Sequence, residues 1–372
     1  MSPVLFDSVG QMLSPYGLSR LLGGAAEVVA RGPLEVEHYS GNTLERLDVV
    51  HNGRLATFVF KHFRFEHDWI MRLTHDHGVR EVTLFRAGVY ERLPDQCYVP
   101  IIAAARRGRM WTSLMVDVSP GLMPSGATPI PLPELTRVLA HLAAMHAHHM
   151  HDDSLRVPGL GLSTLHDFVS ILAPATAALE VAHGRVHPVI TAAVEGWTVF
   201  NDVAPREAAR VLAGLHRDTQ PLLNALARTP HTLVHGDYKF ANLGALAPPT
   251  TGADHATAEE PRTIMLDWQD ATFGPPLLDL GYFLAIEAAR LPVPKDVVLE
   301  MYREELAAAG YRTESRTWER DVALGLLAGG AMRLLWQKAL RTQATDPAIR
   351  EQAQVDLAWW SEQVVRARGW LS

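Results

Sequence analysis

Residues 234–246, VHGDYKFANLGAL, crowd a His, a Gly, an Asp, a Lys and an Asn between two apolar ends. Asp237 is followed five positions later by Asn242, and Asp267 comes directly after the next apolar run, TIML at 263–266. A tight loop after a strand can present Asp237 outward and return Asn242 to the same side, and a following hairpin would bring Asp267 to the same point. Such oxygen ligands suit Mg²⁺, and an acidic group near an attacking hydroxyl suits phosphoryl transfer.

Each of these residues also has a purely structural explanation. Asp and Asn side chains often close turns by bonding to backbone groups nearby. For Asp237 or Asn242 alone, that explanation is the better one. Three such residues in one ordered set favour a phosphoryl-transfer site instead.

The composition of the chain narrows the class of protein. Its 372 residues are 48% hydrophobic and 20% charged, which is typical of a globular protein with two lobes or domains. The formal net charge of -7, from 41 acidic and 34 basic residues, differs from the basic footprint of a nucleic-acid-binding protein. We therefore expect no nucleic-acid partner.

Cysteine usage and the apolar runs bear on location. The single cysteine, Cys97, excludes an intrachain disulfide and favours a reducing compartment. The first residues, MSPVLFDSVGQML, lack the pattern of a secretion signal, and apolar runs elsewhere are shorter than the roughly 18 residues that a membrane span needs. These features predict a cytoplasmic protein without a membrane partner, and they leave the oligomeric state open.

Strand-like sequence dominates residues 33–118. The runs at 43–51 and 54–63 flank Asn52-Gly53, a strong hairpin signal, and further strands are predicted at 33–40, 97–106 and 110–118. One helix is predicted over 67–93. Beyond a Pro-rich passage that ends at residue 133, helical periodicity continues almost to the end. The sequence thus predicts an α+β fold with an antiparallel sheet in a β-rich lobe, residues 1–118, and an α-rich lobe, residues 119–372, with a surface loop over 246–263.

The pattern HGD at 235–237, with Asn242 and then Asp267 followed by Trp, resembles the HGD-x4-N and D-W/F signatures of the aminoglycoside phosphotransferase and choline kinase-like families. These families are similar to protein kinases in fold. The resemblance implies a two-lobed protein kinase-like fold, with a nucleotide-binding N-lobe and a C-lobe for catalysis and substrate. It also implies ATP and Mg²⁺ as cofactors, Asp237 as the catalytic residue, and Asn242 and Asp267 as metal ligands. His235 would be a structural, hydrogen-bonding residue.

Lys239 lies two positions after Asp237, where protein kinases carry a phosphate-contacting lysine. A lysine there can neutralise charge that develops on the transferred phosphoryl group. A solvent-facing loop lysine is the alternative, and the sequence does not decide between the two.

The β-rich lobe should supply a lysine and a carboxylate partner. Lys61 ends the apolar run RLATFVFK at 54–61, as the lysine does in the V-A-I-K pattern of kinases. Glu81, in a segment that resembles the R-E-x3-Y/F helix of the family, is the favoured partner. Glu66 and Glu91 are the competitors, because the sequence does not show which helix face meets the sheet.

The phosphate-covering turn is predicted at Ser40, Gly41 and Asn42, whose backbone N–H groups could cradle phosphate. This turn has a single glycine and departs from the G-x-G-x-x-G loop of protein kinases. By the same resemblance, backbone groups from Val116 to Val118 would bind adenine.

Histidines gather at the end of one predicted helix, HLAAMHAHHMHDD at 141–153. Helical spacing pairs His146 with His149 and His148 with His151, and either pair could contribute to a zinc site. Without an H-E-x-x-H pattern, a helix end with surface histidines is the better interpretation. Asp279, in GPPLLDLGYFLA at 274–285, is interpreted as structural support at the start of a helix.

The resulting hypothesis is an ATP- and Mg²⁺-dependent phosphotransferase that moves the γ-phosphate to a hydroxyl of an aminoglycoside, amino alcohol, sugar or similar metabolite. The alternatives are an inactive nucleotide-binding protein of the same fold and a kinase-fold nucleotidyltransferase. The acceptor stays open. Acidic or aromatic side chains in the α-rich lobe could bind an amine or a quaternary ammonium group, and the candidates are Asp270, Glu287, Asp321, Trp318 and Trp336.

Overall fold

The computed structural model of the protein describes residues 3–34, 40–124, 126–247 and 260–371. The chain forms two compact units whose segments alternate along the sequence. The first comprises Met1–Pro124, Pro158–Gly161 and Ala241–Gln269, and the second comprises Ser125–Val157, Leu162–Phe240 and Asp270–Ser372. The first unit is rich in strands and the second in helices, which confirms the predicted α+β fold class. Residues 35–39 of the predicted strand 33–40, and 248–259 of the predicted loop, lie outside the described residues.

The first unit is organised around a six-stranded sheet. Its chain before residue 124 contains the strands β1 Val4–Phe6, β2 Ala26–Pro33, β3 Thr43–His51, β4 Arg54–His62, β5 Cys97–Tyr98, β6 Ile101–Arg107 and β7 Met110–Val116. Six of them pair in the order β1-β6-β7-β4-β3-β2. The hairpin predicted at Asn52-Gly53 is present, and both residues have positive φ, 48° and 76°, as a two-residue hairpin turn requires.

The sheet is mixed, and the predicted purely antiparallel sheet is wrong in this respect. Strand β1 pairs in parallel with β6, whereas the other neighbours in the sheet are antiparallel. A strand of three residues is too short to show a period, so sequence pattern does not reveal it. Strand β2 ends at Pro33, where the predicted strand was expected to begin.

The predicted continuous helix over 67–93 is also wrong. The first unit contains the helices α1 Val9–Met12, α2 Pro15–Leu22, α3 Trp69–Leu73 and α4 Arg80–Arg86, and a separate 3-10 turn follows at Tyr90–Arg92. The chain leaves helical geometry between α3 and α4, because His75 and Val79 have φ of 53° and 61°. The carboxylate of Asp76 accepts hydrogen bonds from the backbone N–H of Arg80 and so begins the second helix.

Side chains of β4 alternate between the two faces of the sheet, and Lys61 lies on the face that packs against α4. Phe58 and Phe60 pack with one core cluster, on the face that they share by the two-residue period of a strand. Lys61 and Phe63 belong to the other face, where Phe63 packs with Val82 of α4. Lys61 therefore points to the helix that carries Glu81.

Four short strands come later in the chain: β8 Thr232–Val234, β9 Leu243–Leu246, β10 Arg262–Met265 and β11 Thr272–Gly274. In the first unit, β10 lies between β5, which is parallel to it, and β9, which is antiparallel. In the second unit, β11 pairs with β8. Candidate site residues lie just outside these strands, since Asn242 precedes β9, Asp267 follows β10 and Asp237 follows β8.

Helices make up most of the second unit. They are α5 Leu132–His148, α6 Leu165–Ser170, α7 Pro174–Ala182, α8 Pro188–Val203, α9 Arg206–Arg217, α10 Gln220–Leu226, α11 Leu277–Glu287, α12 Lys295–Ala308, α13 Ser315–Gly325, α14 Met332–Arg341 and α15 Pro347–Ala367. A π-helix, Leu326–Ala331, joins α13 to α14. Among the helices of the described residues, none combines the length and the apolar character that crossing a membrane demands.

Helix α11 is almost wholly buried and is packed at unusually short range. A Cβ atom placed on Gly281 would lie 2.4 Å from the carbonyl oxygen of Gly325, and one on Gly329 of the π-helix would lie 2.1 Å from the carbonyl oxygen of Leu278. Since Cβ atoms do not approach backbone this closely, glycine is required at both contacts. The close contact fixes the position of α11, which carries several residues of the candidate site.

Candidate functional site

Asn242 and Asp267, the two predicted metal ligands, lie at the same end of the β9–β10 pair. Leu243 is opposite Met265 in the register, and the backbone N–H of Leu266 donates to the carbonyl of Asn242 at 2.9 Å. Asn242 precedes β9 by one residue and Asp267 follows β10 by two. Antiparallel pairing thus brings a carboxamide and a carboxylate together, although 24 residues separate them in sequence.

Asp267 has a left-handed backbone conformation, with φ of 68°. Residues other than glycine rarely adopt this conformation, although Asp tolerates it better than most. The next residue anchors the turn, because the indole of Trp268 is fully buried and donates to the carbonyl of Met265 at 3.2 Å. Backbone strain held in place by a buried neighbour is a frequent feature of functional sites.

Lys61 connects two carboxylates within the first unit. Its Nζ lies 2.8 Å from Oε2 of Glu81 and 2.6 Å from Oδ1 of Asp267. Burial by itself lowers the pKa of Lys61, but the charges of Asp267 and Glu81 outweigh burial and raise that pKa above its usual value. Of the three carboxylates considered from sequence, Glu81 is therefore the one that pairs with Lys61.

The charges around Lys61 do not cancel. Two carboxylates face one ammonium group, and burial together with the neighbouring Asp267 raises the pKa of Glu81. The side chain of Asp267 remains 30% exposed, whereas those of Lys61 and Glu81 are 9% and 2% exposed. A divalent cation at Asp267 and Asn242 would balance the excess negative charge, and its oxygen donors are those that Mg²⁺ prefers.

Close packing at Gly41 and side-chain hydrogen bonds from Asn42 hold the predicted phosphate turn, residues 40–42, in place within the first unit. Gly41 has φ of 104°, and a Cβ atom there would lie 2.2 Å from the carbonyl oxygen of His67. The side-chain amide of Asn42 donates to Asp68 at 2.6 Å and to Gln269 at 3.1 Å. The side-chain amide of Asn42 is therefore engaged in this network, and the residue as a whole is 3% exposed.

Asp68 and Gln269 are members of this network that sequence reasoning did not find. Gln269 donates to Asp68 at 2.7 Å, and Ser40 lies 3.3 Å from the amide of Asn42. Burial raises the pKa of Asp68 to about 6, against the effect of these donors. The turn at 40–42 is thereby tied to the residues that directly follow Asp267.

Val116 and Val118 lie at the end of the sheet. Val116 is the last residue of β7, and its backbone N–H donates to the carbonyl of Pro100 at 3.0 Å. Val118 is buried and directly precedes the 3-10 turn Ser119–Gly121. Their contact with adenine stays a prediction.

In the second unit, the HGD loop follows β8, and Asp279 holds its backbone. The carboxylate of Asp279 accepts from the backbone N–H groups of His235 at 2.8 Å and Gly236 at 2.7 Å. It also lies 3.1 Å from Nε2 of His146, whose Nδ1 is 2.6 Å from the hydroxyl of Tyr302. Asp279 thus supports the loop from the first turn of α11, as the sequence suggested.

The expected surface histidines at the end of α5 are only partly at the surface. His148 is exposed, but His141, His146 and His149 are buried, with exposures of 6%, 0% and 1%. The expectation was wrong for these three because they lie on the side of the α5 segment that faces the core, where His146 contacts Asp279. His149 lies 3.3 Å from Asp152, and within the described ranges no three His, Cys, Asp or Glu side chains are grouped to hold a metal ion.

Asp237 is held by two side chains of the second unit. Lys239 lies 2.9 Å from its Oδ1 and 2.8 Å from its Oδ2, and the hydroxyl of Tyr282 donates to Oδ1 at 2.6 Å. The Lys239 side chain is 26% exposed, so it is neither buried nor a plain surface lysine. Sequence reasoning named both loop residues but missed Tyr282, which lies 45 positions after Asp237.

Arg333 is a second residue that sequence reasoning missed. It lies near the start of α14 and donates to the carbonyl of Gly236 at 3.0 Å. It forms a buried ion pair with Asp270, and its guanidinium lies 4.7 Å from the ring centroid of Tyr282. Arg333 is one of three basic residues in α14, and the sequence does not mark it for this role.

The acidic residues considered as amine ligands already have cationic neighbours. Asp270 pairs with Arg333, Asp321 pairs with Arg320 at 2.8 Å, and Glu287 lies 3.6 Å from Arg290. Glu287 also accepts from the backbone N–H of Phe240 at 2.8 Å. The aromatic candidates, Trp318 and Trp336, are buried, with 5% and 3% exposure.

We predict that Gly236→Ala lowers the free energy of unfolding by at least about 2 kcal/mol, because φ at this position is 86° and the added Cβ would lie 2.2 Å from the carbonyl oxygen of Asp270. Gly184 also has positive φ, 71°, but has no atom within 4 Å of such a Cβ. Gly184→Ala therefore isolates the backbone cost, about 1 kcal/mol. Urea unfolding measures both variants, and equal losses would contradict the close approach at Gly236.

Comparisons with protein-family models and with curated protein sequences find no match. Solved structures do match. The ethanolamine kinase of Plasmodium vivax is 11% identical with a TM-score of 0.47, over 91% of this chain and 81% of that one. The choline kinase of Streptococcus pneumoniae is 9% identical with a TM-score of 0.43, over 95% and 99%. An aminoglycoside phosphotransferase from Alicyclobacillus acidocaldarius is 15% identical with a TM-score of 0.41, over 91% and 90%.

These three proteins are small-molecule kinases. The HGD-x4-N pattern of this chain resembles the signature of such kinases. At these identities and TM-scores, the assignment of function has to rest on the residues of this chain.

Proposed function

We propose that the protein transfers the γ-phosphoryl group of ATP to a hydroxyl of a small molecule in a Mg²⁺-dependent reaction. The observation that carries the proposal is the buried Lys61, held between Glu81 and Asp267 at 2.8 and 2.6 Å. Burying Lys61 and Glu81 costs free energy unless they are paired, and the second carboxylate, Asp267, adds a negative charge that the lysine does not balance. A role in binding a nucleotide phosphate and a metal ion accounts for this arrangement.

The first unit supplies the nucleotide-binding groups in this proposal. Lys61, positioned by Glu81, contacts the α- and β-phosphates, and Asn242 and Asp267 hold Mg²⁺. The metal ion neutralises phosphate charge when it is bound. The backbone N–H groups of the turn at 40–42 cover the phosphates, and backbone groups from Val116 to Val118 bind adenine.

The second unit supplies the groups that act on the acceptor. Asp237 orients the acceptor hydroxyl and accepts its proton as the hydroxyl oxygen attacks the γ-phosphorus, while the bond from that phosphorus to the bridging oxygen breaks and ADP leaves. Lys239, two residues further on, stabilises the negative charge of the phosphoryl group in transit. Its ion pair with Asp237 supports this assignment, because it places an ammonium group beside the carboxylate.

A cytoplasmic setting suits this reaction, because ATP is available there and because the single cysteine of the sequence, Cys97, carries a buried thiol that needs no oxidising compartment.

A screen for ADP release tests the proposal. Purified protein with Mg·ATP is offered amino alcohols, aminocyclitol antibiotics, sugars and other hydroxylated metabolites, and at least one acceptor is expected to stimulate ADP release. Mg·ATP at about 100 times its Kd is also expected to stabilise the fold by about 2.7 kcal/mol. A rise in Tm without ADP release from any acceptor would favour an inactive nucleotide-binding protein. Release of pyrophosphate instead of ADP would identify nucleotidyl transfer.

A further inference from the structure

Within the proposed function, we infer that Tyr282 is a positioning residue that fixes the carboxylate of Asp237 for the acceptor hydroxyl. Its hydroxyl donates to Oδ1 of Asp237 at 2.6 Å, a short distance for a hydrogen bond to a charged acceptor. Tyr282 touches neither nucleotide nor acceptor in this proposal. It acts through Asp237 alone.

The two side chains that hold Asp237 differ in how firmly they are held themselves. Lys239 stands on the same loop as Asp237, reaches both carboxylate oxygens and is 26% exposed. Tyr282 stands on the buried helix α11 and is 8% exposed. Because a lysine chain has four flexible torsions and a tyrosine ring has two, Tyr282 is the contact that sets the orientation.

Oδ1 and Oδ2 of Asp237 are consequently not equivalent. Oδ1 receives hydrogen bonds from both Tyr282 and Lys239, whereas Oδ2 is 2.8 Å from Lys239. We assign Oδ1, which accepts from both side chains, as the anchored oxygen, and Oδ2, which accepts from Lys239, as the oxygen that also receives the acceptor hydroxyl. The bond from Tyr282 to Oδ1 fixes the plane of the carboxylate, and so fixes where Oδ2 lies.

Arg333 holds the ring of Tyr282 in turn. Its guanidinium lies 4.7 Å from the ring centroid of Tyr282 and donates to the carbonyl of Gly236, the residue before Asp237. The same arginine pairs with Asp270. Arg333 thus contacts both the loop backbone and the ring of Tyr282. It lies at the start of α14, directly after the π-helix, a kind of segment often found at functional sites.

Tyr282 stays protonated, as a donor must. Burial and the negative charge of Asp237 raise the pKa of Tyr282 above its usual value. The other charged groups that face Asp237 or Tyr282 in the second unit are Lys239, Arg333 and Glu287, which lies beside the same loop through Phe240. Over the working pH range the hydroxyl therefore donates and does not titrate.

The test compares Tyr282→Phe with Tyr238→Phe. Tyr238 is a matched control, because it is also buried, adjoins Asp237 in sequence, and donates its hydroxyl to the carbonyl of Val138 at 2.7 Å rather than to a carboxylate. Both variants lose one buried hydroxyl. Only Tyr282→Phe removes a donor from the carboxylate of Asp237.

Two readouts are measured on the full-length protein. The first is the ¹³C chemical shift of aspartate side-chain carboxyls at one fixed pH, with the Asp237 signal identified by its loss in Asp237→Asn. A hydrogen-bond donor changes the environment of the carboxylate, so the Asp237 signal is expected to move in Tyr282→Phe and to keep its position in Tyr238→Phe. The second is ADP release from Mg·ATP with the best acceptor of the screen. We expect kcat to fall about ten-fold in Tyr282→Phe with an unchanged KM for ATP.

The two readouts separate the possible failures. An unshifted Asp237 signal, or an equal shift in Tyr238→Phe, in a protein that releases ADP would overturn the role of Tyr282 and leave the proposed function standing. A shifted signal in a protein that transfers phosphate to no acceptor would overturn the function and with it the positioning role. A lower kcat in Tyr282→Phe with an unmoved Asp237 signal would also count against the inference, since general loosening of the structure gives that result.

Discussion

Asp237→Asn is expected to lower ADP release by about 10³-fold at saturating acceptor and Mg·ATP. The substitution keeps the shape of the side chain but removes the charge that orients the hydroxyl. It also replaces an acceptor oxygen with an amide group next to the ammonium of Lys239 or the hydroxyl of Tyr282, which lie 2.8 and 2.6 Å from the two carboxylate oxygens. Single-turnover kinetics with the acceptor from the screen measures the loss directly.

Nucleotide binding should survive this substitution, because the groups proposed to bind ATP belong to the first unit. The rise in Tm with Mg·ATP is therefore expected to equal that of the unmodified protein. Asp153→Asn is the matched control, since the side chain of Asp153 is 85% exposed and pairs with the surface residue Arg156 at 2.8 Å. Residual ADP release within ten-fold of normal in Asp237→Asn would remove Asp237 from the mechanism.

Asp267→Ala is expected to abolish ATP-dependent turnover at every Mg²⁺ concentration tested. The substitution removes the carboxylate that is proposed to hold the metal ion, and added Mg²⁺ cannot replace a missing ligand. In contrast to Asp237→Asn, this variant should also lose most of the rise in Tm that Mg·ATP produces. Thermal melting and ADP release across a Mg²⁺ series measure both effects.

Folding of the Asp267 variant needs its own control. The position has φ of 68°, which costs alanine about 1 kcal/mol, whereas Asn adopts this conformation more readily. Removal of the charge leaves Lys61 paired with Glu81 at 2.8 Å, so the buried lysine is not abandoned. Asp267→Asn should therefore fold normally without nucleotide and still lose turnover. Full activity in either variant would contradict the assignment of Asp267.

Local pattern predicted those parts of the site that depend on neighbours in sequence. The spacing of Asp237, Asn242 and Asp267 is visible in the sequence because each residue lies next to a short strand. Lys61 is visible because it lies near the end of the apolar strand β4. The Asn52-Gly53 hairpin is likewise a local signal. These features need only the two-residue period of a strand and the preferences of turn residues.

The remaining parts depend on contacts between distant segments. Asn42 is predicted to serve phosphate through its backbone, and the sequence pattern gives no sign that its side chain bonds to Gln269, 227 positions away. Tyr282 and Arg333 meet the HGD loop across 45 and 97 positions. No periodicity reports such contacts, since a buried polar side chain in an apolar helix looks the same whether it serves the core or a catalytic loop. The broken helix over 67–93 has a different cause, because left-handed geometry at Val79 contradicts the preference of a β-branched residue.

The interleaving of the two units limits how the gene can be divided. A fragment that ends at Pro124 would encode Lys61 and Glu81 but lack Asp267, together with strands β9 and β10 that complete its small sheet. Its buried lysine would then have one carboxylate, and β5 would lose its only partner in that sheet. Swapping this unit between related chains would require three segments, 1–124, 158–161 and 241–269, to be exchanged together. In recombination libraries, crossovers between these segments should be depleted among folded progeny.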